Sequence, residues 1–384
     1  MAIILLNMNR SLQVYNKVTI QNQGIHMFLL ISGHINKIII LMILIILFST
    51  PVAGGIGNTS LCPPDPGTYW FGVHAPTQFH RTEMDISASS ISSFAQAAGK
   101  KPAVVTFSHE WGINRSFPYQ QFYEIHQSEA IPWVRLMLRS DIRQNRPEPL
   151  FTLSRILSGS YDSDLKEWAH NVKDLGYPVL IEYGTEVNGK WFPWNGYWTG
   201  NDHGAEKFKN TYRHIIRIMK DEGADNLIWV YHLNWHNNPD EPWNTAAAYY
   251  PGDEYVDIIA VSIYGALSPD ATGVRMFSDM MNESYQELAA LNPNKPIMIA
   301  ETGTDIHNPT IDPVWWTHET YSSLHAGTWP QVIGVVWWNS AWPNDPYPTH
   351  NTSMRIEEDI RMIELFRIIV GSDDRYLNRT ISKC

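Results

Sequence analysis

The chain has 384 residues, 44% hydrophobic and 17% charged, and its 28 Lys+Arg against 39 Asp+Glu leave a net charge of −11. That balance excludes an electrostatic nucleic-acid binder, which needs a basic surface to neutralise phosphates, and the apolar content excludes a disordered chain. Two cysteines cannot build a disulfide scaffold or a Cys-ligated zinc module. The 16 Trp and 18 Tyr must fill a core or line a binding groove, because aromatic side chains are costly on a surface.

The N-terminal 55 residues read as a leader. Ile38–Phe48 is an unbroken apolar run, preceded by Lys37 and followed by small residues through Gly55. At helical rise it covers only about half of a ~30 Å hydrocarbon layer. A secretory signal peptide therefore fits better than a spanning helix. The stretch before it is long for such a leader, which suggests a start at Met27. Alternatively, Met27–Ile31 extends the apolar segment and anchors the chain to a membrane. The expectation is an extracellular or cell-envelope protein, with residues 1–55 as leader or anchor and 56–384 as one domain.

Beyond about Thr68, β-rich apolar runs alternate with stretches of helical period. The strand candidates are Trp70–His74, Ala103–Phe107, Trp133–Leu138, Val179–Tyr183, Leu227–His232, Val256–Ile263, Ile297–Ala300 and Val332–Trp338. Their near-continuous apolarity suits parallel strands buried on both faces. Asp164–Leu175 and Ala205–Glu222 carry apolar stripes and stop at Gly176 and Gly223. Phe277, Met281 and Leu288 form a third stripe, and a last helix after Ser353 as N-cap is expected to bury Ile356, Ile360, Ile363, Phe366 and Val370. Eight such repeats predict a single α/β domain, a (β/α)8 TIM barrel. The rival, an open doubly wound sheet, lacks its Gly-rich phosphate turn after the first strand. A closed barrel brings chain ends together, so a Cys62–Cys384 disulfide is one expectation and two free thiols the other.

In such a barrel, chemistry sits at the carboxyl ends of the strands. The fourth strand runs out through Glu182-Tyr183-Gly184-Thr185-Glu186, and the seventh through Ala300-Glu301-Thr302. Pleat parity would put Glu182, Gly184 and Glu186 on one side. Two carboxylates across a barrel mouth can cleave a glycosidic bond, one protonating the leaving oxygen and one attacking the anomeric carbon or directing water. Either Glu taken alone reads first as a helix N-terminal cap or the partner of a nearby Lys or Arg. The aromatic setting supports the catalytic reading: Trp191 and Trp194 follow Glu186, Tyr264 closes strand six and Trp338 closes strand eight. Indole faces stack on the C–H faces of sugars. His232 could contact a sugar hydroxyl or, with His236, a metal. Trp111 and Trp235 could border the cleft or pack under loops. His109-Glu110 lacks the second His of a metalloprotease motif. Asp141 could meet sugar or pair with Arg139 or Arg143.

The segment Glu186-Val187-Asn188-Gly189-Lys190-Trp191-Phe192-Pro193-Trp194 resembles the acid/base motif of glycoside hydrolase family 26, the β-mannanases and their relatives. Asn226–Tyr231, Tyr249–Ile259, Lys295–Glu301 and Val336–Asn339 resemble that family in the same order. The resemblance implies a retaining mechanism, with Glu186 as acid/base and Glu301 as nucleophile. Tyr264 would hydrogen-bond the nucleophile, and Trp338 would floor the subsite where the bond breaks. Glu186 would need a raised pKa and Glu301 would need to stay ionised. Substrate contacts are expected from Trp191, Trp194, Tyr264, Trp338, His232 and Trp235. The family usually has His where this chain has Thr185, and a base where it has Glu182. The expected function is a secreted endo-β-glycanase, first a mannan endo-1,4-β-mannosidase, with β-1,3-1,4-glucanase or β-1,3-xylanase activity as the alternative. A rival of another class is a carbohydrate-binding protein that has lost turnover. No cofactor or metal is expected, the partner is a polysaccharide, and the chain is expected to be a monomer.

Overall fold

The computed structural model describes residues 18–22, 25–29, 61–77 and 83–379. The chain divides into two units, Met1–Gly57 and Asn58–Cys384. In the first, Val18–Asn22 pairs antiparallel with Ile25–Leu29. The apolar run Ile38–Phe48 lies outside the described residues. Among the described residues, no helix is long and apolar enough to cross a membrane.

Among the described residues of the second unit, eight parallel strands form a barrel: β1 (Tyr69–His74), β2 (Val104–Glu110), β3 (Ile131–Met137), β4 (Val179–Tyr183), β5 (Leu227–Asn234), β6 (Ile258–Tyr264), β7 (Ile297–Gly303) and β8 (Val332–Trp338). Each pairs with the next, and Gly334–Trp338 of β8 pairs with Trp70–His74 of β1, so the sheet closes. This is the single (β/α)8 barrel that the apolar runs predict. The runs are continuous because each strand is buried on two faces. Trp70, Val104, Trp133, Leu180, Val230, Ala260, Met298 and Val336 fill the barrel interior. Their neighbours, such as Phe71, Val105, Val134, Ile181 and Ile259, face the outer helices. Alternation gives each face its set, and both sets are apolar.

The helices follow their stripes. Asp162–Lys173 buries Leu165, Trp168 and Val172, and Asp202–Asp221 buries Phe208, Tyr212, Ile215 and Met219. Phe277–Leu291 buries Phe277, Met281 and Leu288. The last helix departs from expectation. Ser353 lies in a two-residue strand, and the α-helix Ile360–Phe366 is capped by Asp359, whose side chain accepts from the Arg361 N–H. This start sets the helical phase so that Met362 and Phe366 face inward and Ile360 is 64% exposed. A short last strand, Tyr376–Leu377, pairs with Tyr69 and Trp70 at the amino-terminal end of β1. Cys62 is disulfide-bonded; the suggested partner Cys384 lies outside the described residues.

Candidate active site

The carboxyl ends of β3 to β8 converge on one buried set of charges. β4 stops at Tyr183, and Glu182 points into the barrel two residues after the interior Leu180. Beyond it the pleat no longer governs. Gly184 has φ +78° and Glu186 has φ +46°, both left-handed, so Glu186 stands on a turn and not on an extension of the strand. Parity with Glu182 is therefore not what aims it. Two contacts fix the turn. Asn188 accepts from the Asn234 N–H at 2.7 Å and donates to the Asn234 carbonyl at 2.9 Å, tying the loop to β5. The Trp191 indole crosses Gly189 so closely that a Cβ there would collide with the ring. From that position Trp191 Nε1–H donates to Glu186 Oε2 at 2.6 Å. Glu186 is 8% exposed.

β7 aims Glu301 through an irregularity. Ile297 and Ile299 face the helices, while Met298 and Ala300 face the barrel interior. Strict alternation would turn Glu301 outward. Between Ile299 and Glu301 the register against β6 slips, with Val261 opposite Ile299 and Ser262 opposite Glu301. The same slip appears against β8, where Val335 opposes Ile299 and Trp337 opposes Thr302. This bulge of one extra residue returns Glu301 to the interior side. Its Oε2 accepts the Tyr264 hydroxyl at 2.8 Å. Its Oε1 accepts no hydrogen bond and lies 3.4 Å from Arg135 Nη2.

Electrostatics link the two carboxylates. Burial pushes the Glu301 carboxyl up to about 7; Arg135 pulls it down, Glu186 pushes it up and His232 pulls it down. The expectation for Glu301 was an easily ionised group, and its buried position works against that. Burial also raises the Tyr264 hydroxyl, as do Glu301 and Glu186, so the phenol keeps its proton and donates.

Glu182 is fully paired. It accepts Trp133 Nε1–H at 3.0 Å, the Thr185 hydroxyl at 2.5 Å and His232 Nδ1–H at 3.0 Å, and lies 3.5 Å from Arg135 Nε. Burial alone would raise its pKa; His232 and Arg135, together with the hydrogen bonds, bring it below the usual value. The extra carboxylate is thus neutralised in place. His232 is correspondingly committed: burial would lower its pKa, but Glu182 raises it, and Nε2 bonds the Ser262 hydroxyl at 2.8 Å. Both ring nitrogens are used, so neither is free for a sugar hydroxyl or a metal.

The aromatic expectations divide. Trp191, Tyr264 and Trp235 are half-buried. Trp338 stacks on His74 at 3.9 Å and lies under the Arg135 guanidinium at 5.0 Å. The Arg275 guanidinium lies 5.1 Å from the Trp235 ring. Trp194 is 2% exposed, stacks on Phe192 at 4.8 Å and donates to the Thr185 carbonyl. Its ring and its N–H are both engaged within the loop after β4. Trp111 packs against Phe151 and Tyr161 under the loops. His109 is occupied by the Asn114 and Ser116 carbonyls and by Trp168, while Asp141 pairs with Arg143 and Arg146. Among the described residues, no group of three or more His, Cys, Asp or Glu is placed to hold a metal.

Arg135 escaped the sequence reading. Its signal was present: a lone cation inside the apolar run Ile131–Met137 is costly unless paired. Glu83, which accepts from Arg135 Nη1 at 2.8 Å, lies in a loop and gave none.

The family model for glycosyl hydrolase family 26 matches residues 154–312. Over those residues the chain is similar to this family. Endoglucanase H of Acetivibrio thermocellus is 26% identical over 289 residues, 74% of this chain and 29% of that protein. A mannan endo-1,4-beta-mannosidase of Bacillus subtilis strain 168 is 29% identical over 185 residues, 47% of this chain and 44% of that protein. The chain thus spans less than half the length of these curated relatives. The solved catalytic domain of the Bacillus sp. JAMB-750 GH26 endo-beta-1,4-mannanase superposes with a TM-score of 0.58 at 18% identity, covering 80% of this chain and 86% of that one. That likeness is one of fold.

Proposed function

We propose that the chain is an endo-acting β-glycanase that cleaves a β-linked polysaccharide with retention of configuration. Mannan is its first substrate and a β-glucan its second. The observation that carries the reading is the pair Glu186 and Glu301, brought to one barrel mouth from different strand ends and each within the other's electrostatic reach. The relatives named as an endoglucanase and as a mannan endo-1,4-beta-mannosidase support both substrates.

In this reading Glu301 attacks the anomeric carbon while Glu186 protonates the leaving oxygen. Glu186 then takes a proton from water as that water releases the glycosyl–Glu301 ester. Tyr264 holds the nucleophile by its Oε2, which leaves Oε1 to attack. Trp191 keeps the Glu186 carboxyl oriented. Because Glu301 must be ionised to attack, kcat/KM should fall on the acid side of a limb near 7. The rival without turnover rested on Glu182 and Thr185, and the side chains of these two residues are held by each other and by Arg135.

Reducing-sugar release from mannan, lichenan and β-1,3-xylan tests the activity, and NMR of the first product tests retention. Glu301→Ala should lower kcat by about 10³-fold or more. Glu186→Ala should harm polymer cleavage far more than cleavage of activated aryl glycosides, whose leaving groups need no proton. Binding without release in the unaltered chain would sink the proposal. We also propose export led by Ile38–Phe48 and action as a monomer. Sequencing the N-terminus of protein recovered from the medium tests the first, retention in the membrane being the opposing outcome, and sedimentation tests the second.

A further inference from the structure

The charge that steadies Glu301 comes from an unexpected strand. The resemblance places a base four residues before Glu186, and this chain has Glu182 there. Arg135 stands directly across the ladder from Glu182, in register on β3. It is buried, with Nη2 3.4 Å from Glu301, Nε 3.5 Å from Glu182 and Nη1 2.8 Å from Glu83. A guanidinium has a fixed planar fork, so holding two of its corners sets the third. Glu182 is itself immobilised by Trp133, Thr185 and His232.

We propose that Arg135, braced by Glu182, is a positioning residue that aims Glu301 and keeps it ionisable in its buried pocket. The cation sits on β3, with its counter-charge on β4. The proposal rests on Glu301 being the nucleophile. The charged and titratable groups facing Glu301 are Arg135 from β3, Glu186 after β4, His232 from β5, Tyr264 from β6 and Glu83 after β1. Of these, Arg135 alone is a permanent cation, and it lies against Oε1, the oxygen with no hydrogen bond. His232 also favours the anion but is turned to Glu182 and Ser262. Removing Arg135 leaves Glu301 buried beside carboxylates with no direct counter-ion.

The test compares the full chain with Arg135→Met and Arg135→Lys. Two readouts are taken: the acid limb of kcat/KM, and the titration of the Glu301 side-chain carboxyl by 13C NMR, assigned by its loss in Glu301→Gln. In Arg135→Met both midpoints should rise by about one pH unit or more. Arg135→Lys, which keeps the charge, should recover most of the shift. A loss of rate in Arg135→Met with both midpoints unmoved would make Arg135 merely structural and overturn the proposal. If Arg135→Met does not fold, the unaltered chain decides. The Arg135 side-chain nitrogens should titrate with Glu301 and lose that inflection in Glu301→Gln, and a flat response would overturn the proposal. The NMR measurements need no substrate. A chain that released no sugar would end the proposed function and still report whether Arg135 governs Glu301.

Discussion

A carboxyl that keeps its proton up to about 7 when folded, against an ordinary value of 4.5, ties stability to pH. The sign follows from linkage. Below 4.5, Glu301 is protonated in both states and exacts no cost. Between 4.5 and 7 the unfolded chain releases that proton while the folded chain keeps it, so stability falls across this window and levels off above 7. That fall amounts to about 3 kcal/mol, an order-of-magnitude figure. Glu301→Gln removes the ionisation and keeps the shape. Its stability relative to the unaltered chain should therefore be near zero at pH 4.5 and grow in its favour toward pH 8. Urea unfolding at the two pH values checks this, and a pH-independent difference would mean that Glu301 titrates normally. The same residue shows what the sequence could not convey. Its identity as an acid at a strand end was legible. Its proton affinity was not, because that depends on Arg135, Glu186 and His232 arriving from three other segments.

Strands and turns aim the acids, and here alternation alone misleads. Counting by twos along β7 turns Glu301 outward with Ile297 and Ile299, and only the slipped register at Ala300 turns it in. Counting by twos along β4 groups Glu186 with Glu182, and two left-handed residues break that count. Both acids could be picked from sequence by their neighbours, but neither could be aimed from it. In the turn after β4 the close approach of the Trp191 ring to Gly189 has a testable consequence. Gly189→Ala inserts a methyl group against the indole, so Trp191 must move and Glu186 loses its donor. A lost hydrogen bond of about 0.5–1.5 kcal/mol predicts a fall in kcat of roughly 2- to 10-fold. Trp191→Phe, which removes only the N–H, should fall in the same range with the melting temperature little changed. If Gly189→Ala kept full activity, the loop would not depend on that contact.

Across the whole molecule, the fold was the most legible feature. All eight barrel strands stood out as apolar runs, because burial on both faces leaves a continuous hydrophobic signature. The seam between β8 and β1 was not legible, since it joins residues more than 250 positions apart, such as Gly334 and Trp70. Nor was the strand Tyr376–Leu377, which is too short to carry a period. That strand lies at the far end of the barrel from the acids. Tyr376 is buried against Tyr69, Phe71 and Tyr321, at the foot of β1. His74, which carries the Trp338 stack, is five residues further along the strand, about 16 Å away at strand rise. Stability and chemistry should therefore separate. Tyr376→Ala leaves a large cavity and should cost about 3–5 kcal/mol, read as a lower urea midpoint at unchanged slope. Sugar release by the fraction that remains folded should match the unaltered chain, because no group around Glu186 or Glu301 touches Tyr376. A fall in kcat alongside the fall in midpoint would show that the foot of β1 and the mouth of the barrel are coupled through the strand.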